Sequence, residues 1–364
     1  MVGVIILGVL EKIIKTLEKE VKRDIDSQYF SGGHGIRNSH DDYFKPLRDV
    51  EPHLMAFVDG GNNTILEAPR FSLQVNRVYF NLFKGKERQR PSSRIPEKIE
   101  FFSYLSVHDS ENGEVGKVKI FPLSEEHRKY LPMEEDLTVT LPGPPDFYQR
   151  SRMFSVARRF AEWSFSTRII EEELDDGDIL VKDGSLDTSF EGERIYLHRI
   201  LKAADKIGVN LAGLSKTCTL PTPTGNSLIA SIRKLAKDKN YERWYHPLKP
   251  KEVKGHLIKI MIVKLHELSD YIFRLDLFGK DDEAEIISAI GENTVDPTFP
   301  GYPYGLIDAD LNARVRMDEV KMYKTSILSG LPEDVLEELK YHIRAVDAHE
   351  KLNRIAMIND KKIR

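Results

Sequence analysis

A change of hydrophobic period near residue 151 constrains this chain more than any other feature. Before it lie three apolar runs of strand length, LMAFVDG (54–60), FSLQVNRVYFNLF (71–83) and KIEFFSYLSV (98–107). Their spacing and β-branched, aromatic content predict an antiparallel three-stranded meander. A variable segment ending in LPGPPDF, with three prolines, closes that half. From Ser151 onward Met153, Val156, Ala157, Phe160, Ser164 and Thr167 recur at helical spacing, predicting a buried stripe on a helix that DDGD ends near Leu174. GDILVKDGSLDTSF then reads as a short strand, and GERIYLHRILKAADKIG as a second helix. Ile195, Ile200, Leu201, Ala204 and Ile207 share one side of that helix, with Gly208 as its C-cap. VNLAGLSKT is a fifth strand. The order β-β-β-α-β-α-β, with right-handed crossovers, places the last strands parallel to the first. That is the order of an RNase H-like fold, an α/β mixed sheet with helices on both faces. The remaining segments add further helices and strands.

Length and composition set the outer limits. The chain has 364 residues, 40% hydrophobic and 31% charged, as expected of a globular protein with a substantial core. The pattern divides into an N-terminal helix and connector (1–50), a main α/β domain (51–350) and a C-terminal tail (351–364). Cys218 is the single cysteine, which excludes an internal disulfide and suits a reducing, cytoplasmic setting. MVGVIILGVL is apolar for about ten residues, half of the roughly 20 a membrane span needs. It continues into EKIIKTLEKEVKRDI at helical spacing, so we expect an amphipathic helix and no membrane insertion. Its apolar side belongs in the core, or else against a second subunit.

The net charge of −4 excludes a protein that coats nucleic acid over its whole surface, while leaving room for a local site. KGKERQRPSSR (84–94) sets five cations against Glu87 and reads as a solvated loop or, alternatively, a contact to a phosphate backbone. The eleven histidines show no metal-ligand spacing. No phosphate-binding P-loop occurs either, so any nucleotide energy must come from a partner.

Two aspartates carry the functional reading. Asp59 ends the first strand and Asp183 the fourth, each followed by glycine. Asp-Gly-Gly-Asn-Asn after a strand is also ordinary turn chemistry. The repetition at two strand ends is what raises the pair above that reading. In an RNase H-like sheet the two strands are neighbours, and two carboxylates so placed repel unless a cation lies between them. Hard oxygen ligands suit Mg²⁺ or Mn²⁺, and two such ions can stabilise both the attacking and the leaving oxygen of a phosphodiester.

The sequence resembles the NurA family of archaeal DNA-end-resection nucleases, which work with the HerA hexameric ATPase. The matching stretches are FVDGG (57–61), RRFAEW (158–163), ILVKDGSL (179–186), GVNLAGLSKT (208–217) and YPYGLIDAD (302–310). The resemblance implies an RNase H-like fold and a homodimer that docks on a HerA-type ATPase. It implies Mn²⁺-dependent cleavage of single- and double-stranded DNA, with Mg²⁺ as a weaker substitute and two ions per site. The activities expected are single-strand endonuclease and 5′–3′ exonuclease.

Carried over residue by residue, Asp59 and Asp183 are metal ligands and Glu162 matches the family's helical glutamate. On a helical wheel Glu162 falls on the polar side with Arg158 and Ser166, where a solvated glutamate reads the same way. Lys216, after a strand, is either a cation for the scissile phosphate or a surface lysine. Tyr302 is a hydrogen-bond donor to a phosphate or to water, or simply packing. Asp310 stands where the family usually has a histidine, and it either orients the attacking water or caps a turn.

Two other readings compete with this one, the first from a different class. One is a catalytically weak regulatory subunit of a HerA-type translocase, favoured if either aspartate had been missing. The other is an Argonaute-like or integrase-like enzyme, disfavoured because no stretch resembles a guide-binding domain or a zinc module.

Overall fold

The computed structural model describes residues 9–20, 44–111, 113–142, 153–218, 220–221, 227–237 and 241–343. The connector before Phe44, the LPGPPDF prolines beyond Pro142 and the tail from 351 lie outside these residues, as do His34, His40 and His349.

The strands, in chain order, are β1 (Lys45–Pro46), β2 (Leu54–Ala68), β3 (Phe71–Lys84), β4 (Glu87–Gln89), β5 (Lys98–Ser110), β6 (Gly113–Pro122) and β7 (Thr138–Pro142). They continue with β8 (Ile179–Asp183), β9 (Asn210–Ser215), β10 (Trp244–Pro247), β11 (Lys251–Val253), β12 (His256–Lys264) and β13 (Phe273–Phe278). The helices are α1 (9–20), α2 (Val156–Glu173), α3 (Glu193–Ile207), α4 (Leu228–Ala236), α5 (Glu283–Glu292), α6 (Tyr304–Ala313), α7 (Met317–Ser329) and α8 (333–343). The chain divides into two compact units. One comprises Leu54–Lys182, Asp187–Val209 and Gly305–Arg364; the other comprises Met1–His53, Asp183–Leu186 and Asn210–Tyr304.

The first unit holds a mixed sheet in the order β8-β2-β3-β5-β6-β7, with β4 on β3. The meander is antiparallel throughout, and β8 joins β2 in parallel, with Met55 opposite Ile179 and Val58 opposite Lys182. Thus the first and fourth strands of the sequence are neighbours, and helices cover both faces. The meander is longer than its three apolar runs suggest, because GEVGKVKIFP forms β6, with Gly116, Val118 and Ile120 inward and Lys117, Lys119 and Phe121 outward.

The α2 stripe departs from expectation. Met153, Val156, Ala157 and Phe160 are buried, but Ser164 and Thr167 are only half-buried, while Trp163, Phe165, Ile169 and Ile170 are buried as well. The helix is enclosed on most sides, since Phe165 meets both Phe80 of β3 and Tyr130. A second core lies under α7 and α8, where Val315, Val320 and Ile343 pack on Ile65, Leu66 and Val75.

The other unit has an antiparallel sheet in the order β1-β10-β12-β13-β9, with β11 on β12. Phe44, Leu228, Ile232, Trp244 and Ile262 form a core beneath α4. The N-terminal helix corrects the expectation that its apolar side is core: Val9, Leu10, Ile13, Ile14 and Leu17 are all exposed. None of the described helices is long and apolar enough to cross a membrane.

Candidate active site

β2 does not stop at Asp59. It runs on through Gly60, Gly61, Asn62 and Asn63 to Ala68, with Asp59 opposite Tyr79 of β3. The expected strand end is therefore a mid-strand position, and the turn comes only after Ala68. The reason is steric. A Cβ on Gly60 would collide with the Glu162 carboxylate of α2, and one on Gly61 would collide with the backbone carbonyl of Ala313. The glycines let a strand pass between two helices that press on it from opposite faces. This is a demand of packing rather than of turn geometry.

Strand alternation then sorts the side chains. Asp59 and Tyr79 share one face, where Tyr79 clusters with Ala309 and Ala313 of α6. Val58, Gly60 and Lys182 share the other, beneath α2. Asp59 is 7% exposed, and its Oδ1 accepts the Gly60 N–H at 2.7 Å.

Glu162 lies on the α2 side, 3% exposed, so of its two readings the solvated glutamate does not hold. Its Oε2 accepts from Lys182 Nζ at 2.7 Å, and its Oε1 pairs with Arg158 one helical turn earlier. Arg158 Nη1 also donates to the Gly60 carbonyl at 3.0 Å. Lys182 Nζ sits 4.9 Å from the Trp163 ring centroid. Burial alone would raise the Glu162 pKa, but the charges of Arg158 and Lys182 outweigh it and hold the carboxyl below the usual glutamate range.

Beside this cluster a second buried acid, Glu193, accepts from Trp163 Nε1 at 2.8 Å and Arg159 Nη2 at 2.7 Å. Its other oxygen accepts the Ser189 N–H at 2.6 Å, fixing the chain just before α3.

In the other unit Asp183 is held by residues from distant parts of the sequence. Its Oδ1 accepts the Tyr302 hydroxyl at 3.0 Å, and its Oδ2 pairs with Lys216 Nζ at 2.9 Å. The Lys216 ammonium also lies 5.4 Å from the centroid of the Tyr302 ring. Tyr302 is 1% exposed, stacked on Phe299 and edge-on to Phe273, so its hydroxyl is held in a packed aromatic wall. The turn after Asp183 needs Gly184, whose φ is +90°. Gly184 N–H bonds the Leu214 carbonyl at 2.9 Å, and Leu186 N–H bonds Asp276 Oδ2 at 3.0 Å. Arg274 holds Asp276 through Nε at 2.7 Å.

Asp310 sits on α6 and pairs with Arg314 one turn later. Its neighbour Asp308 accepts from Asn81 Nδ2 at 2.7 Å and from Arg88 Nη1 at 3.1 Å. Arg88 belongs to the basic 84–94 segment, part of which is the strand β4 rather than a free loop.

Among the described residues no group of three or more His, Cys, Asp or Glu side chains is arranged to hold a metal ion. The donor chemistry separates the three candidate ligands. Asp59 Oδ1 accepts the Gly60 amide N–H, and Asp183 accepts from the Tyr302 phenol and pairs with Lys216; carboxylate oxygens are the donors that suit a hard cation. Glu162 does not fit that role, because both its oxygens are engaged by cations, one of them the buried Lys182. Sequence reasoning singled out neither Arg158 nor Lys182 as a site residue. A lysine inside the apolar run ILVKD was the available signal.

The NurA domain family matches residues 53–315. The fold is similar to the crystal structure of the NurA nuclease from Sulfolobus solfataricus, at 15% identity and a TM-score of 0.51, covering 89% of this chain and 96% of that one. Human endonuclease V is more distant, at 10% identity and a TM-score of 0.36 over 75% of this chain and 86% of that one. No curated protein sequence matches the chain.

Proposed function

Because the chain belongs to the NurA nuclease family, we propose that it cleaves DNA phosphodiesters with the help of divalent cations, Mn²⁺ in preference to Mg²⁺. The observation that carries this reading is Asp183, a carboxylate at a strand end held by Tyr302 and Lys216. Asp59 on β2 is the second candidate carboxylate. Bound cations supply positive charge that stabilises the attacking and leaving oxygens.

The protein's own residues do the rest. Tyr302 orients Asp183 through its hydroxyl. Lys216, partly exposed and able to swing from Asp183, meets the scissile phosphate and offsets its charge. The aromatic wall around Tyr302 restricts water on that side. Asp310 is proposed to tune this chemistry from α6, though its pairing with Arg314 equally supports a helix-stabilising role.

The wider assignment is single-strand endonuclease and 5′–3′ exonuclease activity on DNA ends, by a homodimer docked on a HerA-type hexameric ATPase. The exposed apolar side of α1 supports assembly with another chain. The test is incubation of end-labelled linear DNA with the parent and with Asp183→Asn, in Mn²⁺, in Mg²⁺ and in EDTA. Cleavage by the parent in Mn²⁺ alone or in both metals, lost in the variant, supports the proposal. Inactivity of the parent under every condition, with and without the ATPase, favours the regulatory subunit.

A further inference from the structure

We infer that Glu162 is a positioning residue rather than a metal ligand: with Arg158 and Lys182 it forms a buried clamp that fixes the backbone next to both aspartates. This rests on the metal-dependent reading above, because only there does a ligand role for Glu162 arise.

Three observations carry it. The first is the face. Asp59 projects from the side of β2 that holds Tyr79 and α6, whereas Glu162 lies under Gly60 on the α2 side. Carboxylates on opposite faces of one strand do not converge on a common ion without moving the strand between them.

The second is the partners. Lys182 Nζ and Arg158 take one oxygen each, and Lys182 is as buried as the acid it meets. Turning Glu162 toward a cation would break two ion pairs inside the protein, one of them to a buried lysine, which is strongly unfavourable.

The third is what the clamp holds. Arg158 reaches past Glu162 to the Gly60 carbonyl, and the Gly60 N–H is the donor to Asp59 Oδ1. Lys182, at the other end, is the residue before Asp183. One carboxylate therefore ties together two backbone positions, each one residue from an aspartate, across the parallel pair of β2 and β8. A Cβ at position 60 would press on the Glu162 carboxylate, so glycine gives the clamp its room.

Mn²⁺ titration followed by electron paramagnetic resonance, combined with steady-state cleavage of linear DNA, tests the inference. Glu162→Gln should bind as many Mn²⁺ equivalents as the parent. Its kcat should fall on the order of 10- to 100-fold through misplacement of the aspartates, with KM for DNA unchanged. Adding Lys182→Gln should lower kcat little further, because both substitutions break the same tie. Loss of a Mn²⁺ equivalent in Glu162→Gln, or a further multiplicative fall in kcat in the double variant, overturns the clamp.

Should Glu162→Gln fail to fold, Lys182→Gln alone decides: unchanged Mn²⁺ binding with reduced kcat supports the clamp, and tighter binding overturns it. A parent that binds no Mn²⁺ and cuts nothing refutes the proposed function, yet the clamp still stands or falls on the metal-free protein. There, non-additive melting temperatures for Glu162→Gln and Lys182→Gln support it, and additive ones overturn it.

Discussion

The Tyr302 hydroxyl donates to Asp183 Oδ1 at 3.0 Å, joining residues 119 positions apart in the chain. The same ring that presents the hydroxyl is locked by Phe299 and Phe273, so the donor has little freedom to turn elsewhere. A phenol held in this way sets the orientation of a carboxylate more firmly than a solvent-exposed donor would.

Tyr302→Phe keeps that aromatic wall and deletes only the donor. A hydrogen bond to a charged group contributes about 1.5–3 kcal/mol, less here because Lys216 still holds the other oxygen. We expect a small drop in the urea midpoint and a larger drop in kcat. A variant that cleaves linear DNA at the parental rate would remove Tyr302 from the catalytic machinery.

The two glycines after Asp59 should differ in tolerance. Gly60→Ala meets a side chain, Glu162, which can shift at some cost; Gly61→Ala meets the Ala313 backbone, which cannot shift without moving α6. Overpacking of this kind typically costs about 1–3 kcal/mol. Gly61→Ala should therefore lie at or beyond the upper end of that range and Gly60→Ala toward the lower end, as measured by urea denaturation.

His246 on β10 makes stability depend on pH. Burial against Phe44 pushes its pKa down from 6.5 to about 4. Below pH 6.5 the unfolded chain binds a proton that the folded chain refuses, so stability falls as pH drops from 6.5 toward 4. The full effect is on the order of 3 kcal/mol. His246→Phe should flatten that part of the stability–pH curve; an unchanged slope would mean that the histidine is not its source.

Arg77 on β3 ties the sheet to the segment around α7. It donates to Glu100 at 2.7 Å, to the Arg314 carbonyl at 2.6 Å and to Glu319 at 2.6 Å. Arg77→Met leaves two half-buried carboxylates without their shared cation, at a cost of roughly 3 kcal/mol when such pairs are broken one-sidedly. The variant should melt well below the parent, and adding Glu319→Gln should return part of the loss.

The order of elements was legible because period and spacing are local properties. Three meander strands, then α2, β8, α3 and β9, all appear where the pattern of LMAFVDG through VNLAGLSKT puts them. The end of β2 was not legible. Asp-Gly-Gly-Asn-Asn carries every local mark of a turn, and only the approach of Glu162 and Ala313 reveals why small residues were needed in a continuing strand. The burial of Glu162 was not legible for a related reason. A helical wheel compares a residue with its own helix, whereas its burial depends on Lys182 from another strand. For Asp183, by contrast, the strand end and the left-handed Gly184 agree with the local signal. Lys216 and Tyr302 were singled out separately, and no feature of the sequence announced that both touch Asp183.

The parallel pairing of β2 with β8 also has a consequence for biosynthesis. Met55 must wait for Ile179, which emerges from the ribosome only after the whole meander and α2 have been made. During that interval the flank of β2 is an unprotected template, with Met55, Phe57 and their backbone amides open to any passing strand. Fragments that end before Ile179 should therefore collect in inclusion bodies even though they contain a complete run of hairpins. A nascent-chain holdase would act on the stretch from Leu54 to Val58 until β8 has cleared the exit tunnel.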